Sequence, residues 1–178
     1  MRAVGELVSI DEYLSNPLYA RSEWVEGEIV ERGMGTGFHG ELSGDLFVAL
    51  RSYLRAHPIG GVGVEVHCHF VLAGERIYRI PDIAVVLGAR MRNIHHIQGP
   101  PAIAFEVRSP DESVTSQIAK CREYIEAGSL YAVLLVPETR MVHVLTAGQP
   151  RQELTVADTL RFPEVLPGFE LPLAELFA

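Results

Sequence analysis

Two acids and one amine carry the chemistry this sequence has to offer. Asp82 interrupts the apolar run YRIPDIAVVLG, and Glu106 interrupts AIAFEVRSP. If the two runs are neighbouring strands, as consecutive strands usually are, both carboxylates can meet in one cavity. Two carboxylates that close repel, and the pair is tolerated when one keeps its proton or a cation sits between them. Hard oxygen ligands from one or two carboxylates, completed by water and phosphate oxygens, describe a Mg²⁺ site. An ion held this way polarises a phosphoryl oxygen and acidifies a bound water. The amine is Lys120, the single lysine among 15 Lys plus Arg. A compact ammonium reaching that cavity could orient the attacking water or offset charge growing on a phosphate, where a flat guanidinium would act differently. The plainer reading stands beside this one: acids at strand ends commonly pair with arginines, and a lone lysine on a helix commonly does nothing.

Other residues invite chemistry and support it less. His67 and His69 are two apart in a strand-like run, with Glu65 as the only further ligand type on that face, so a solvated strand face is expected there rather than a metal site. His95 and His96 are neighbours in a loop. The GMGTG cluster lacks the Lys-Ser/Thr ending of a phosphate loop and reads as an approach to His39 and the helix after it. Ser109 has no evident His and Asp partners; shaping the pocket is the role left to it.

The elements that must position Asp82, Glu106 and Lys120 follow from periodicity. Ser9 to Glu12 has the form of a capping box, which predicts a short helix through Leu14. SEWVEGEIVERG predicts strands about a turn at Glu26-Gly27. From Glu41, Leu42, Leu46, Ala49, Leu50, Tyr53 and Leu54 fall on one helical face that ends near His57-Pro58. GVGVEVHCHFVLAG predicts one strand and YRIPDIAVVLG the next, with Asp82, Ala84 and Val86 sharing a face. In AIAFEVRSP, Ala104 and Glu106 share a face. A helix is expected over residues 113–127, with Val114, Ile118, Cys121 and Ile125 as its buried stripe and Gly128 closing it. YAVLLVP and RMVHVLTAG predict a final strand pair, and the tail LPGFELPLAELFA a short loop and helix. The expected architecture is one α/β (α+β) domain over residues 1–178, a central mixed sheet flanked by two main helices.

Composition narrows the function classes. A formal net charge of −8 argues against a non-specific nucleic-acid binder, whose affinity comes from neutralised phosphates. It leaves room for a nuclease, whose metal-holding acids add negative charge. No stretch approaches the run of roughly 18 apolar residues that spans a bilayer. Acidic residues stand in the first segment where a secretory signal needs its apolar run. Cys68 and Cys121 are isolated and read as reduced thiols, so a cytoplasmic protein without membrane contact is expected.

EWVEGEIVE with the downstream His39, PDIAVV, FEVRSP followed by Lys120, EYIEAG and the closing LPGFELPLAELF together give the chain a likeness. It resembles the Uma-two family of restriction-endonuclease-like proteins, within the PD-(D/E)XK nuclease superfamily, over nearly its full length. The resemblance implies a restriction-endonuclease-like fold and Mg²⁺-dependent hydrolysis of DNA phosphodiester bonds, with Mn²⁺ as a substitute. It implies that Asp82 and Glu106 are the metal-binding carboxylates and that Lys120 is the catalytic lysine, moved from the strand to the next helix. It places Glu23 and His39 near the site as supporting residues. The chain departs from the family where Ser116 stands for an aspartate, where Arg108 follows Glu106-Val107 as a second cation near the site, and where Tyr131, Ala132, Val133 and Val136 replace an aromatic and acidic run. These departures, with the net charge of −8, motivate an alternative to the leading nuclease reading, a catalytically lapsed nuclease fold that serves as a nucleic-acid-binding or protein-interaction module. A purely structural interaction protein with no nucleic-acid contact is the third reading. DNA bound weakly or specifically, and a second copy in a homodimer, are the partners expected.

Overall fold

The computed structural model describes residues 7–33, 35–89, 91 and 94–178. The first six residues, Met34 of the glycine cluster, and Arg90, Arg92 and Asn93 of the polar loop lie outside them. Two tight hairpins organise the first half. Strands β1 (Glu23–Val25) and β2 (Glu28–Val30) pair antiparallel across Glu26-Gly27, with φ of 51° and 92°. Strands β4 (Cys68–Leu72) and β5 (Glu75–Arg79) pair the same way across Ala73-Gly74, again at 51° and 92°. A two-residue hairpin loop with both central residues left-handed matches the twist of its strands, and glycine at the second position relieves the strain.

The second hairpin is longer than its tip. Strand β3 (Gly60–Val64) precedes β4, strand β6 (Ile83–Leu87) follows β5, and β3 pairs antiparallel with β6. Both arms are therefore creased, at residues 65–67 and 80–82, where the sequence pattern predicts two unbroken strands. Glu65 adopts a φ of 50°, which a pleated strand cannot continue. On the other arm Pro81 has no N–H to give, and the Ile80 N–H goes to Glu23 Oε1 at 2.8 Å. The crease sends the two halves of the hairpin into different sheets.

The inner half joins the central sheet, of order β11-β10-β9-β8-β6-β3, which adds β8 (Ile103–Val107), β9 (Tyr131–Val136), β10 (Met141–Leu145) and β11 (Gln152–Leu154). Within this sheet, among the described residues, only β8 and β9 run parallel, so a crossover must join them, and helix α3 (Val114–Ala127) provides it. The outer half joins a smaller sheet of order β2-β1-β5-β4-β7, closed by β7 (Ile97–Gln98).

Each face of the central sheet carries a helix, as expected. On one face α2 (Gly37–Ala56) buries Leu42, Leu46, Leu50 and Leu54 against Ile83, Val85, Ile103 and Phe105. It starts earlier than the apolar pattern indicates because the Thr36 side chain caps it, accepting the His39 N–H. The C-terminal segment completes this core with more structure than a loop and helix. Strands β12 (Thr159–Phe162) and β13 (Leu166–Pro172) pair antiparallel before the short helix α4 (Leu173–Leu176), and Phe162, Phe169 and Phe177 are buried there.

On the opposite face lies α3, over a row of alanines. Ala84 pairs with Ala104, and Ala104 with Ala132. Without larger side chains in that row, Tyr124 sinks fully between helix and sheet. This turns the buried stripe of α3 to Gln117, Ile118, Cys121 and Tyr124, leaving the expected Val114 and Ile125 half-buried. The helix α1 (Ile10–Ser15) begins on the Ser9 cap. No helix among the described residues is long and apolar enough to cross a membrane.

Candidate functional site

The crease opens a cleft of about 750 Å³ between the small sheet, the start of α2 and α3. Glu23, His39, Asp82, Glu106 and Lys120 all line it, so the five sequence-selected residues come together. Strand register explains the two acids. Ile83 opposes Phe105 and Ala84 opposes Ala104, so the next step of the ladder sets Asp82 across from Glu106. There the Asp82 side chain replaces the backbone as partner: the Val107 N–H donates to its Oδ2 at 2.7 Å.

Lys120 stands between two carboxylates. Its Nζ lies 2.9 Å from Glu106 Oε1 and 2.8 Å from Glu23 Oε1. The Tyr124 hydroxyl, one helical turn on, donates to the same Glu106 oxygen at 2.9 Å. Glu23 is the better served acid, since its other oxygen meets Arg79 at 2.7 Å and its Oε1 also accepts the Ile80 N–H. Arg79 in turn forks onto Glu123 of α3 with contacts of 2.7–2.9 Å.

A second group surrounds Asp82. Arg32 Nη2 reaches its Oδ1 at 2.7 Å and Arg32 Nη1 reaches Glu65 Oε1 at 2.8 Å. His39 Nε2 lies 3.3 Å from Oδ2. The glycines of the approach segment allow this closeness. A Cβ on Gly33 would stand 2.8 Å from the Ser109 Cβ, and one on Gly35 would stand 2.9 Å from His39 Nδ1.

Glu23 has Arg79 as well as Lys120, whereas Glu106 has Lys120 alone, and the imbalance falls on Glu106. Burial pushes its carboxyl up to about 8, with Asp82 and Glu23 adding to the rise and Lys120 opposing it. Burial also works against ionised Glu23, yet Lys120, Arg79 and the Ile80 N–H outweigh it and hold that carboxyl below its ordinary value. Asp82 is likewise buried, and the His39 and Val107 hydrogen bonds with the nearby Lys120 charge hold it low. His39 is raised chiefly by its bond to Asp82, against burial and the Arg32 charge. Burial disfavours the Lys120 ammonium, but Glu106 and Glu23 more than compensate, so it holds its proton more tightly than a free lysine.

The donor set fits a hard divalent cation. Among the described residues no group of three or more His, Cys, Asp and Glu side chains is placed to hold a metal. Two carboxylates suffice for a Mg²⁺-type ion, which keeps waters and takes phosphate oxygens for its remaining positions. Burial, with Asp82 and Glu23 nearby, favours the protonated Glu106 carboxyl, and a divalent ion bound there would favour the ionised form.

Several expectations change. Arg108 does not line the cleft; it pairs with Glu138 at 2.6 Å and donates to the Glu112 carbonyl. Ser116 is at the cleft edge, but its hydroxyl bonds back to Ser113, which caps α3. Ser109 is buried and lines the cleft. His67 lies outside any strand, beside the Ala20 carbonyl at 3.2 Å, while His69 stacks on Tyr78 at 4.4 Å, so the two do not form a gripping pair. Arg32, Arg79 and Tyr124 were missed. Tyr124, four residues after Lys120, was the legible one, because that spacing puts both on one helical face; the arginines gave no signal beyond their type.

The profile of the Uma2 family, described as "Putative restriction endonuclease", matches residues 10–174. No curated protein matches the chain. Among solved structures, a "putative nuclease belonging to DUF820" from Anabaena variabilis ATCC 29413 superposes with a TM-score of 0.83 at 22% identity. The match covers 96% of this chain and 97% of the other. That likeness shows the fold, the restriction-endonuclease-like mixed α/β architecture.

Proposed function

Because the chain belongs to the Uma2 family, we propose that it is a nuclease that hydrolyses DNA phosphodiester bonds with Mg²⁺, Mn²⁺ serving as substitute. The reading takes residues 1–178 as one catalytic domain acting in the cytoplasm, a setting in keeping with the free, buried thiols of Cys68 and Cys121. The observation that carries it is the convergence of Asp82, Glu106 and Lys120 in one cleft.

Asp82 and Glu106 would hold the ion, which when bound polarises the phosphoryl group and acidifies a water. Lys120 keeps its proton, so it acts as a fixed positive charge toward the phosphate or the attacking water rather than as a general base. Glu23 fixes the position of that charge from the far side, and Arg79 fixes Glu23. His39, raised by Asp82, is suited to donate a hydrogen bond or a proton at the cleft mouth. With a net charge of −8, contact with DNA is specific or weak rather than a general attraction to phosphate.

One observation favours the lapsed-nuclease reading: Asp82 is already paired with Arg32 and His39. Cleavage of labelled DNA with Mg²⁺, with and without EDTA, separates the two. Wild-type cleavage that EDTA abolishes, and that Asp82→Asn and Lys120→Met each reduce by about 100-fold or more, is expected. A wild-type protein that binds Mn²⁺ nowhere in calorimetry and cuts no DNA, single- or double-stranded, overturns the proposal.

A further inference from the structure

Arg32 stands out among the cleft cations for what it occupies. The Val107 N–H and His39 both address Asp82 Oδ2, and Arg32 Nη2 takes Oδ1 at 2.7 Å. Its second nitrogen is on Glu65. The two acids it bridges differ in depth: the Asp82 side chain is 8% exposed and that of Glu65 is 48% exposed. Arg32 therefore spans from the buried acid to the cleft mouth. It sits in the segment between β2 and α2, outside both elements, with Gly33 next to it.

Stripping the partner from a buried carboxylate is costly unless another cation replaces it. A divalent ion that takes Asp82 Oδ1 is such a replacement, and it competes with the guanidinium for the same oxygen. Once displaced, the guanidinium still has Glu65 to hold it at the mouth. Its planar fork matches the non-bridging oxygens of a phosphate.

We propose that Arg32 is a displaceable counter-ion of Asp82, which an incoming divalent cation sends outward on its Glu65 tether to grip a phosphate of the nucleic acid. This rests on the nuclease reading and adds an order to it: cation first, nucleic acid second. The resident guanidinium lowers cation affinity and raises nucleic-acid affinity once the cation is in place.

The test compares wild type with Arg32→Gln and Arg32→Lys in two measurements. Calorimetry reports Mn²⁺ affinity, and fluorescence anisotropy reports binding of a labelled DNA duplex in Ca²⁺. Arg32→Gln is expected to bind Mn²⁺ about tenfold more tightly than wild type, the factor that corresponds to about 1.4 kcal/mol. It should bind the duplex about tenfold more weakly. Mn²⁺ affinity equal to or below wild type, in a variant that is folded by circular dichroism, overturns the counter-ion role. Tighter Mn²⁺ binding with unchanged DNA affinity overturns the phosphate role. Should Arg32→Gln not fold, Arg32→Lys carries the comparison, since an ammonium cannot hold Glu65 and Asp82 as a fork does; unchanged Mn²⁺ affinity there overturns the inference. Mn²⁺ binding by neither wild type nor variant defeats the nuclease reading together with this one, whereas binding gained only on substitution supports Arg32 as the competitor.

Discussion

Replacing Glu106 with glutamine should stabilise the protein, and by an amount that grows with pH. In the fold the Glu106 carboxyl is pushed up to about 8 by burial and by its neighbours Asp82 and Glu23, whereas in the unfolded chain it titrates at about 4.3. Between those values the native protein holds a proton that the unfolded chain has released. A raised carboxyl therefore contributes stability that is complete below the unfolded value and is lost as pH climbs through the folded one. The slope is at most about 1.4 kcal/mol per pH unit, so pH 5 to 8 spans an upper bound of about 4 kcal/mol. The slope flattens as pH meets the folded value, and about 3 kcal/mol is expected. His39 slopes in the same direction, since its raised imidazole also loses stability as pH rises through its folded value. Asp82 and Glu23 are depressed, and their contributions are lost only on acidification. The comparison must therefore be wild type against Glu106→Gln, with guanidinium denaturation at each pH unit from 5 to 8. Near-equal stability at pH 5 and a variant more stable by about 3 kcal/mol at pH 8 are expected. Parallel curves would mean that Glu106 is ionised in the native protein, and that one ammonium does serve both carboxylates.

Lys120→Met leaves Glu23 and Glu106 facing each other without their shared cation. Its cost should be about 3–5 kcal/mol at pH 8 and clearly less at pH 5, where Glu106 is neutral, read as the shift in thermal midpoint. Arg79→Met removes the link between buried Glu23 and Glu123 and should cost about 3 kcal/mol in chemical denaturation, with Glu123→Gln well below that because Glu123 is partly exposed. Tyr124→Phe deletes one buried hydrogen bond to Glu106 and should cost about 1 kcal/mol. Ala104→Leu puts a branched side chain into the alanine row beneath α3 and should cost about 1–3 kcal/mol by overpacking.

Much of the fold was legible because the apolar periods are clean. The leucines of α2, the alternation in β8 and the turn residues Glu26-Gly27 each point to one local structure. The creases were not legible, because they are made by contacts across the molecule. The pattern of YRIPDIAVVLG fits an unbroken strand until Glu23, 57 residues away, takes the Ile80 N–H. The C-terminal hairpin escaped for a related reason: its glycine and prolines read as loop, and only the Phe162, Phe169 and Phe177 core reveals two paired strands. At the site, acids in apolar strands and a sole lysine advertise themselves by being out of place. Arg32 and Arg79 do not, since arginine is the ordinary cation of this chain and nothing local distinguishes them from the others.

Asp82 belongs to a fold line and Glu106 to flat ladder, and that difference has a mechanical meaning. The 65–67 and 80–82 segments carry both arms of one hairpin from the large sheet into the small one, and Asp82 lies at that bend. Glu106 is anchored by the parallel pairing of β8 with β9 and stays with the large sheet. The Val107 N–H that Asp82 accepts clips the bend to that ladder, so one acid is offered by a corner of the chain and the other by the straight strand to which the corner is pinned.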